Sequence, residues 1–304
     1  MPERYALSKF DDATPAEIEA ALEHSDVVFF EQCPIELPDE ADLTFLRDEL
    51  PRQTQLKNVS YHPESDSVPR FDASEDVRRR VKAILKDHRA AVSRYLEKNI
   101  PNLAPGWTVG TSSFRPIEEK DRDLKPRSSS EIVHIDAGAY GATNGDRILR
   151  FFVNLNPSKD RVWGTKGSFH GLFEKHGAFA TAARGNGRRI TLRKGFADHC
   201  FTGLVSGLSK LYPLAAVIDS SPYDRAMRRI HNYMKECTDF RDDLTDYLEM
   251  RFPPLSAWSV FTDGISHSVV SGQYAFATTI LIPLKNCRTL ESAPYHVLAA
   301  ADGG

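Results

Sequence analysis

The chain has 304 residues, 39 Lys and Arg against 42 Asp and Glu, a formal net charge of -3 and 41% hydrophobic residues. That balance excludes a global electrostatic pull toward nucleic acid or an anionic membrane, and the length suffices for one large core or a major and a minor lobe. No stretch is long and apolar enough to span a bilayer, the first residues lack the apolar core of a signal peptide, and Cys33, Cys200, Cys237 and Cys287 are too scattered for a disulfide framework or a zinc site; a soluble or peripheral cytosolic protein with reduced thiols is expected.

In chain order, Thr14-Pro15-Ala16-Glu17 combines an N-cap, a proline at the first helical position and a capping-box glutamate. Ile18, Ala21 and Leu22 then share a face, which predicts a short helix. The apolar run Val27-Val28-Phe29-Phe30 follows as a buried strand. From Asp72 or Ser74 onward, Val77, Val81, Ile84, Leu85, Val92, Tyr95 and Leu96 recur at helical spacing with basic residues opposite, the pattern of a helix packed on a core. From Trp107 the chain changes to short aromatic and β-branched runs over 107–114, 131–135, 148–154, 190–193, 257–262 and 274–282, separated by Gly, Pro and Asn. A helical insertion from about Tyr223 to Met250 interrupts them, and Arg184-Gly185-Asn186-Gly187-Arg188 reads as a turn. The order predicts an α+β protein, with an N-terminal α/β segment over 1–106 packed on a core over 107–304 that is a jelly roll or double-stranded β-helix.

Within that core, His134 and Asp136 stand two apart in an extended run, so they point to the same side and offer a nitrogen and an oxygen to one point. A third ligand is expected from His267, behind a second strand-like run more than a hundred residues later. Two imidazoles and one carboxylate bind one face of an Fe(II) ion and leave the opposite positions open for a co-substrate and dioxygen. In many such oxygenases an arginine about a dozen residues after the distal histidine forks onto the distal carboxylate of 2-oxoglutarate. Here Thr278 and Thr279 stand there and no basic residue does. Arg150 is the substitute, on a strand where Arg150, Phe152 and Asn154 share a face; Arg115, in another strand-like run, is the next candidate. The basic residues from Arg147 to Lys194 face only Asp160 and Glu174 in that stretch, which makes either a solvated positive face or a site for an anionic substrate or surface.

The runs Gly145 to Pro157, His134-Ile135-Asp136, Trp258 to Asp263 before His267, and Ser271-Gly272-Gln273-Tyr274-Ala275 together resemble the Kdo hydroxylase family, and Ser113-Phe114-Arg115-Pro116 and Lys57-Asn58-Val59-Ser60-Tyr61 are similar to its upstream segments. The chain departs from the family pattern at Ala137-Gly138-Ala139-Tyr140 and at Phe276-Ala277. The resemblance implies an Fe(II)- and 2-oxoglutarate-dependent dioxygenase that uses O2, with ascorbate as a stimulant, to hydroxylate carbon 3 of Kdo in Kdo-lipid A. The product would be Ko, with succinate and CO2 alongside. It further implies a place on the cytoplasmic face of the inner membrane of a Gram-negative bacterium, held by charge, with no nucleic-acid partner. The residues expected to serve are His134, Asp136 and His267 for the metal and Arg150, Asn154, Arg115 and Thr278 for the co-substrate. Tyr140, Gln273, Arg188 and Arg189 are expected at the substrate. The alternatives are a hydroxylase of another small or sugar substrate and a non-catalytic sugar-binding barrel.

Overall fold

The computed structural model describes residues 8–9, 13–69, 71–118, 125–138, 142–187, 189–209 and 220–302. Its strands in chain order are β1 (Ser8–Lys9), β2 (Val28–Phe30), β3 (Val59–Tyr61), β4 (Thr108–Arg115), β5 (Arg147–Asn154), β6 (Arg161–Thr165), β7 (Leu248–Phe252), β8 (Ala257–Phe261), β9 (Ser268–Ser271) and β10 (Ala275–Ile282). They make a seven-stranded sheet, ordered β1-β2-β8-β5-β10-β4-β3, and a three-stranded sheet, ordered β7-β6-β9. Every neighbouring pair is antiparallel except β1 with β2. Strands from the first hundred residues thus extend the larger sheet at both edges.

Because side chains alternate across a strand, the register decides what each face of that sheet carries. Phe152 lies opposite Ala277, which lies opposite Ser113, and Arg150 lies opposite Thr279. Those residues face the smaller sheet, where Trp163, Met250 and Phe252 pack on Phe152, Trp258 and Val260. The Phe252 and Trp258 rings stack at 3.8 Å, and the Trp163 ring stands edge-on to Phe152 at 4.8 Å. The other face carries Leu149, Phe151, Val153, Phe114, Phe276 and Ile280. It is closed by α1 (Pro15–Glu23), capped by Thr14 and Glu17 as the sequence pattern expects, and by α4 (Glu75–Asn99), N-capped by Ser74. Val81, Leu85, Val92 and Leu96 form the buried stripe of α4.

A helical lobe holds a second core: α5 (Phe169–Lys175), α6 (Gly177–Arg184), α7 (Phe196–Ser209), α8 (Pro222–Glu236), α9 (Thr238–Asp242) and the C-terminal α10 (Pro294–Asp302). Phe169, Phe179, Met227, Ile230, Met234 and Leu298 pack there. The lobe begins some fifty residues before the insertion expected at Tyr223 and ends before β7, so Leu248 and Met250 are strand residues and not helical ones. Residues 190–193 form no strand, and 131–135 make only the isolated bridge of His134 with His267. The short helices α2 (Glu40–Thr44) and α3 (Leu50–Gln53) complete the N-terminal region.

Candidate metal centre

The segment carrying His134 is held by the chain around His267. The His134 N–H donates to the His267 carbonyl at 3.0 Å and the His267 N–H returns the bond at 2.7 Å, so the two side chains emerge side by side with ring centroids 4.7 Å apart. The Asp136 N–H donates to the Thr262 carbonyl at 2.9 Å. Alternation does the rest: Val133 and Ile135 point back into the helical core, while His134 and Asp136 turn the other way. One ligand atom from each of His134, Asp136 and His267 lies within 4.8 Å of the others.

The polar neighbours suit this set to a divalent metal. A carbonyl can only accept, so Nδ1 of His134, 2.7 Å from the Ile132 carbonyl, and Nδ1 of His267, 3.2 Å from that of Ile265, carry the ring protons. Both Nε2 lone pairs are left free to bind a metal, with each ring held in place by its backbone carbonyl. Burial, then mutual repulsion, depresses the His134 pKa well below the ordinary histidine value; burial depresses that of His267 too, against the pull of Asp136. Both imidazoles are therefore neutral at pH 7. Burial alone would raise the Asp136 pKa, but the Arg150 guanidinium and the two histidines outweigh it and hold the carboxyl well below the usual range. Arg150 Nε lies 2.9 Å from Asp136 Oδ2 without hydrogen-bond alignment, so that oxygen keeps a lone pair for another partner.

The triad sits in a cavity of about 210 Å³ that is lined also by Lys57, Asn58, Ser113, Arg115, Ser130, Arg150, Arg161 and Trp163. The Trp163 ring lies on His267 at 5.1 Å. Arg115 Nη2 donates to Ser130 Oγ at 3.3 Å, and Arg161 Nη1 donates to the Gly272 carbonyl at 2.6 Å. Gly272, at φ +120°, approaches so closely that a Cβ there would meet the Cα of Arg161 at 2.9 Å.

Of the residues expected from sequence, His134, Asp136, His267, Arg150 and Arg115 meet in this cavity. Asn154 does not. Its side chain donates to the carbonyls of Lys159, Phe252 and Pro253 and ties strand ends together. Thr278 belongs to the opposite face, where its hydroxyl bonds Ser112 Oγ at 2.5 Å; Thr279, one position on, is the residue across from Arg150. Gln273, in the β9–β10 turn, and Arg189, exposed beyond α6, do not line the cavity. Tyr140 and Arg188 fall outside the described residues. Arg161 and Trp163 are the additions. They alternate on β6, a five-residue strand whose only signal in the sequence is the spacing of Val162, Trp163 and Thr165.

Two supports lie behind the ligands. Arg147 is fully buried, with Nε 2.7 Å from Asp263 Oδ2 and its guanidinium 4.2 Å over the Phe261 ring; Asp263 also accepts from the Ile148 N–H at 3.1 Å. This pair pins the turn whose Thr262 carbonyl holds Asp136. Helix α8 supplies the second: His231 Nδ1 donates to the Ile135 carbonyl at 2.6 Å, Lys235 Nζ to the Arg127 carbonyl at 3.2 Å, and Asp224 accepts from the Thr143 N–H at 3.1 Å. One helix thus grips the ligand segment before, between and after its two ligands.

A family model described as 3-deoxy-D-manno-oct-2-ulosonic acid (Kdo) hydroxylase matches residues 7–303. Among solved structures, the chain is similar to the apo form of the Kdo hydroxylase KdoO, described as a non-heme Fe(II) alphaketoglutarate dependent dioxygenase, at 24% identity and TM-score 0.74 over 98% of this chain and 93% of that one. It is similar to the complex of KdoO with alphaketoglutarate and Fe(III), at 24% identity and TM-score 0.74 over 97% and 92%. The complex with succinate and Fe(III) matches at 23% identity and TM-score 0.74 over 98% and 93%. No curated protein sequence matches. At these identities the structural likeness carries the fold.

Proposed function

The chain belongs to the Kdo hydroxylase family, and we propose that it hydroxylates carbon 3 of Kdo in Kdo-lipid A to give Ko, consuming 2-oxoglutarate and O2 and releasing succinate and CO2. The observation that carries this reading is the cluster of His134, Asp136 and His267, within 4.8 Å of one another in a cavity whose other charged residues are Lys57, Arg115, Arg150 and Arg161. On this reading the strands β4 to β10, with the segment 130–136 beside β9, form a double-stranded β-helix over 107–304, and residues 1–106 flank it.

The three residues would hold Fe(II), which when bound supplies the activation of dioxygen coupled to oxidation of 2-oxoglutarate. The protein's own contribution is preorganisation. The Ile132 and Ile265 carbonyls fix both imidazole tautomers. Arg150 keeps Asp136 ionised and is proposed to turn its remaining N–H groups toward the distal carboxylate of 2-oxoglutarate, with Arg115 on the same sheet and Arg161 facing them from β6 across the cavity. Trp163 covers one side of His267 and excludes water there. An aspartate at position 136, where a halogenase needs a vacant coordination site for chloride, supports hydroxylation.

Among the described residues no helix is long and apolar enough to cross a membrane. A protein working from the cytoplasmic face of the inner membrane on a lipid-borne sugar is consistent with that. The test is incubation of the purified protein with Fe(II), 2-oxoglutarate and Kdo-lipid A, followed by mass spectrometry. A gain of one oxygen on the Kdo, with one succinate per turnover, is expected. An unchanged lipid alongside an intact, metal-loaded protein would overturn the assignment of substrate.

A further inference from the structure

Helix α7 is tied to the lobe by polar contacts: Asp198 accepts from the Gly195 N–H at 2.9 Å and pairs with Arg225 of α8 at 2.7 Å, and Thr202 accepts from Lys194 Nζ at 2.7 Å. Val205 is the one buried apolar side chain described on it. Its outer side carries Phe196, Cys200 and Gly203, spaced as one helical face, with Phe201 at the border. Phe196 is 87% exposed and Phe201 47%; no other large apolar side chain among the described residues is as open as Phe196.

The surroundings are basic. Between 176 and 235 the only acidic residues are Asp198, Asp219 and Asp224, against ten Lys and Arg. Two of those three carboxylates are spoken for within the lobe: Asp198 by Arg225, and Asp224, buried, by Thr143 and Ser221. Arg184, Arg189, Arg193 and Arg228 are exposed. Open aromatics within a positive field do not suit a second copy of the same chain, which would bring like charge to like charge. They suit an anionic interface with an apolar interior.

We propose that α7 docks on an anionic phospholipid bilayer, Phe196 and Phe201 entering the acyl boundary while the arginines beside them engage the headgroups. The proposal goes beyond the chemistry of the cavity and rests on the functional reading only in that the sugar substrate is lipid-borne. It gives the lobe a role that the cavity does not: bringing the enzyme to the surface where its substrate is anchored.

The experiment is flotation of the full-length protein with vesicles of phosphatidylethanolamine and phosphatidylglycerol, beside vesicles of phosphatidylcholine alone, across a salt series. The wild type should float with the anionic vesicles and not with the neutral ones. F196S/F201S should lower the bound fraction about tenfold at every salt concentration, because the apolar contribution is not screened. R184Q/R193Q should lower it at low salt, with the difference fading as the Debye length shrinks to about 3 Å near 1 M. Circular dichroism and hydroxylation of detergent-dispersed substrate by F196S/F201S should match the wild type. Equal flotation of wild type and F196S/F201S would overturn the proposal. So would no flotation of the wild type, retention of an oligonucleotide in place of vesicles, or a dimer in solution that the same double substitution dissolves. Flotation requires no substrate, so vesicle binding without hydroxylation would count against the functional reading and leave the docking surface standing.

Discussion

The two faces of the seven-stranded sheet are made by the same strands and carry different chemistry. On β5, Arg150 and Phe152 face the smaller sheet while Leu149, Phe151 and Val153 face the helices; on β10, Ala277 and Thr279 share the first of these faces while Phe276 and Ile280 share the second. One face is a continuous apolar core of fully buried rings and aliphatic side chains. The other packs Phe152, Trp258 and Val260 on the smaller sheet and, beside that aromatic cluster, carries Arg115 and Arg150 at the cavity. The sheet's charged side chains that line the cavity therefore share one face, and a shift of one residue along a strand moves a substitution from one face to the other.

The sharpest way to break that comparison is to cut each side once. Asp136→Ala removes one of three ligands, and the loss of metal affinity should exceed the roughly hundredfold typical of second-shell changes. It should leave the melting transition cooperative. Phe151→Ala, a fully buried ring on the helix face, should cost about 3–5 kcal/mol of stability while the folded fraction still binds metal with wild-type affinity. Anaerobic titration with Fe(II) or Co(II) and urea denaturation report the two quantities separately. Full metal occupancy in the Asp136→Ala protein would end the triad assignment.

Arg150 tests whether the cavity face has one function or two. As a charge-assisted partner of the distal carboxylate it should contribute roughly 1.5–3 kcal/mol, so Arg150→Ala should weaken 2-oxoglutarate binding on the order of ten- to a hundredfold. Should the guanidinium serve only to hold Asp136 ionised, metal affinity would fall instead and co-substrate affinity at saturating metal would not. In that event Arg161 and Arg115 inherit the carboxylate.

The grouping of His134, Asp136 and His267 was legible in the sequence because its signal is local: an i, i+2 pair in an extended run, and a histidine after an apolar strand. The face of Arg150 followed from the period of two. The same rule, applied from the distance between the distal histidine and the usual arginine position, could not choose between Thr278 and Thr279, since one residue of uncertainty reverses the face. Asn154 shares the parity of Arg150 but lies at the strand end, where unpaired carbonyls of β7 and its turn compete for its amide. Arg161 and Trp163 escaped notice because β6 is only five residues long. The start of the helical lobe is not legible because α5 and α6 are only seven and eight residues long, too short for a helical periodicity to stand out.

That lobe also reaches the metal side. His231 on α8 donates to the carbonyl that separates the two ligands of the His134-Ile135-Asp136 run, and its ring stands edge-on to His134 at 5.1 Å. His231→Ala should lower metal affinity about ten- to a hundredfold, with a shift in the absorption bands of the Co(II) form. His231→Asn, which can restore one N–H donor, should recover part of it. Unchanged affinity and spectrum in His231→Ala would reduce α8 to a cover.

The smallest expected effect lies on the helix face, whose apolar packing is broken by the Ser112–Thr278 pair and by a histidine. His88 of α4 is buried against the Phe276 ring, with centroids 4.2 Å apart, and neither ring nitrogen has a partner among the described residues. Burial alone depresses its pKa to about 3. The unfolded chain, with an ordinary histidine, takes up the proton first, so stability is full above about pH 6.5 and is lost as pH falls from there toward the folded-state value. His88→Leu should stabilise the protein at pH 7.5 by relieving the cost of two unpaired nitrogens, about 1–3 kcal/mol less any mismatch of shape. At pH 5 the advantage should grow by about 2 kcal/mol, the 1.4 kcal/mol per unit of pH that one proton carries. Urea denaturation of both proteins at the two pH values measures the gap, and the metal affinity of His88→Leu should stay at the wild-type value because Phe276 separates the ring from the ligands. A gap that is the same at pH 7.5 and pH 5 would mean that His88 accepts a proton inside the folded protein, and the helix face would then hold a polar site of its own.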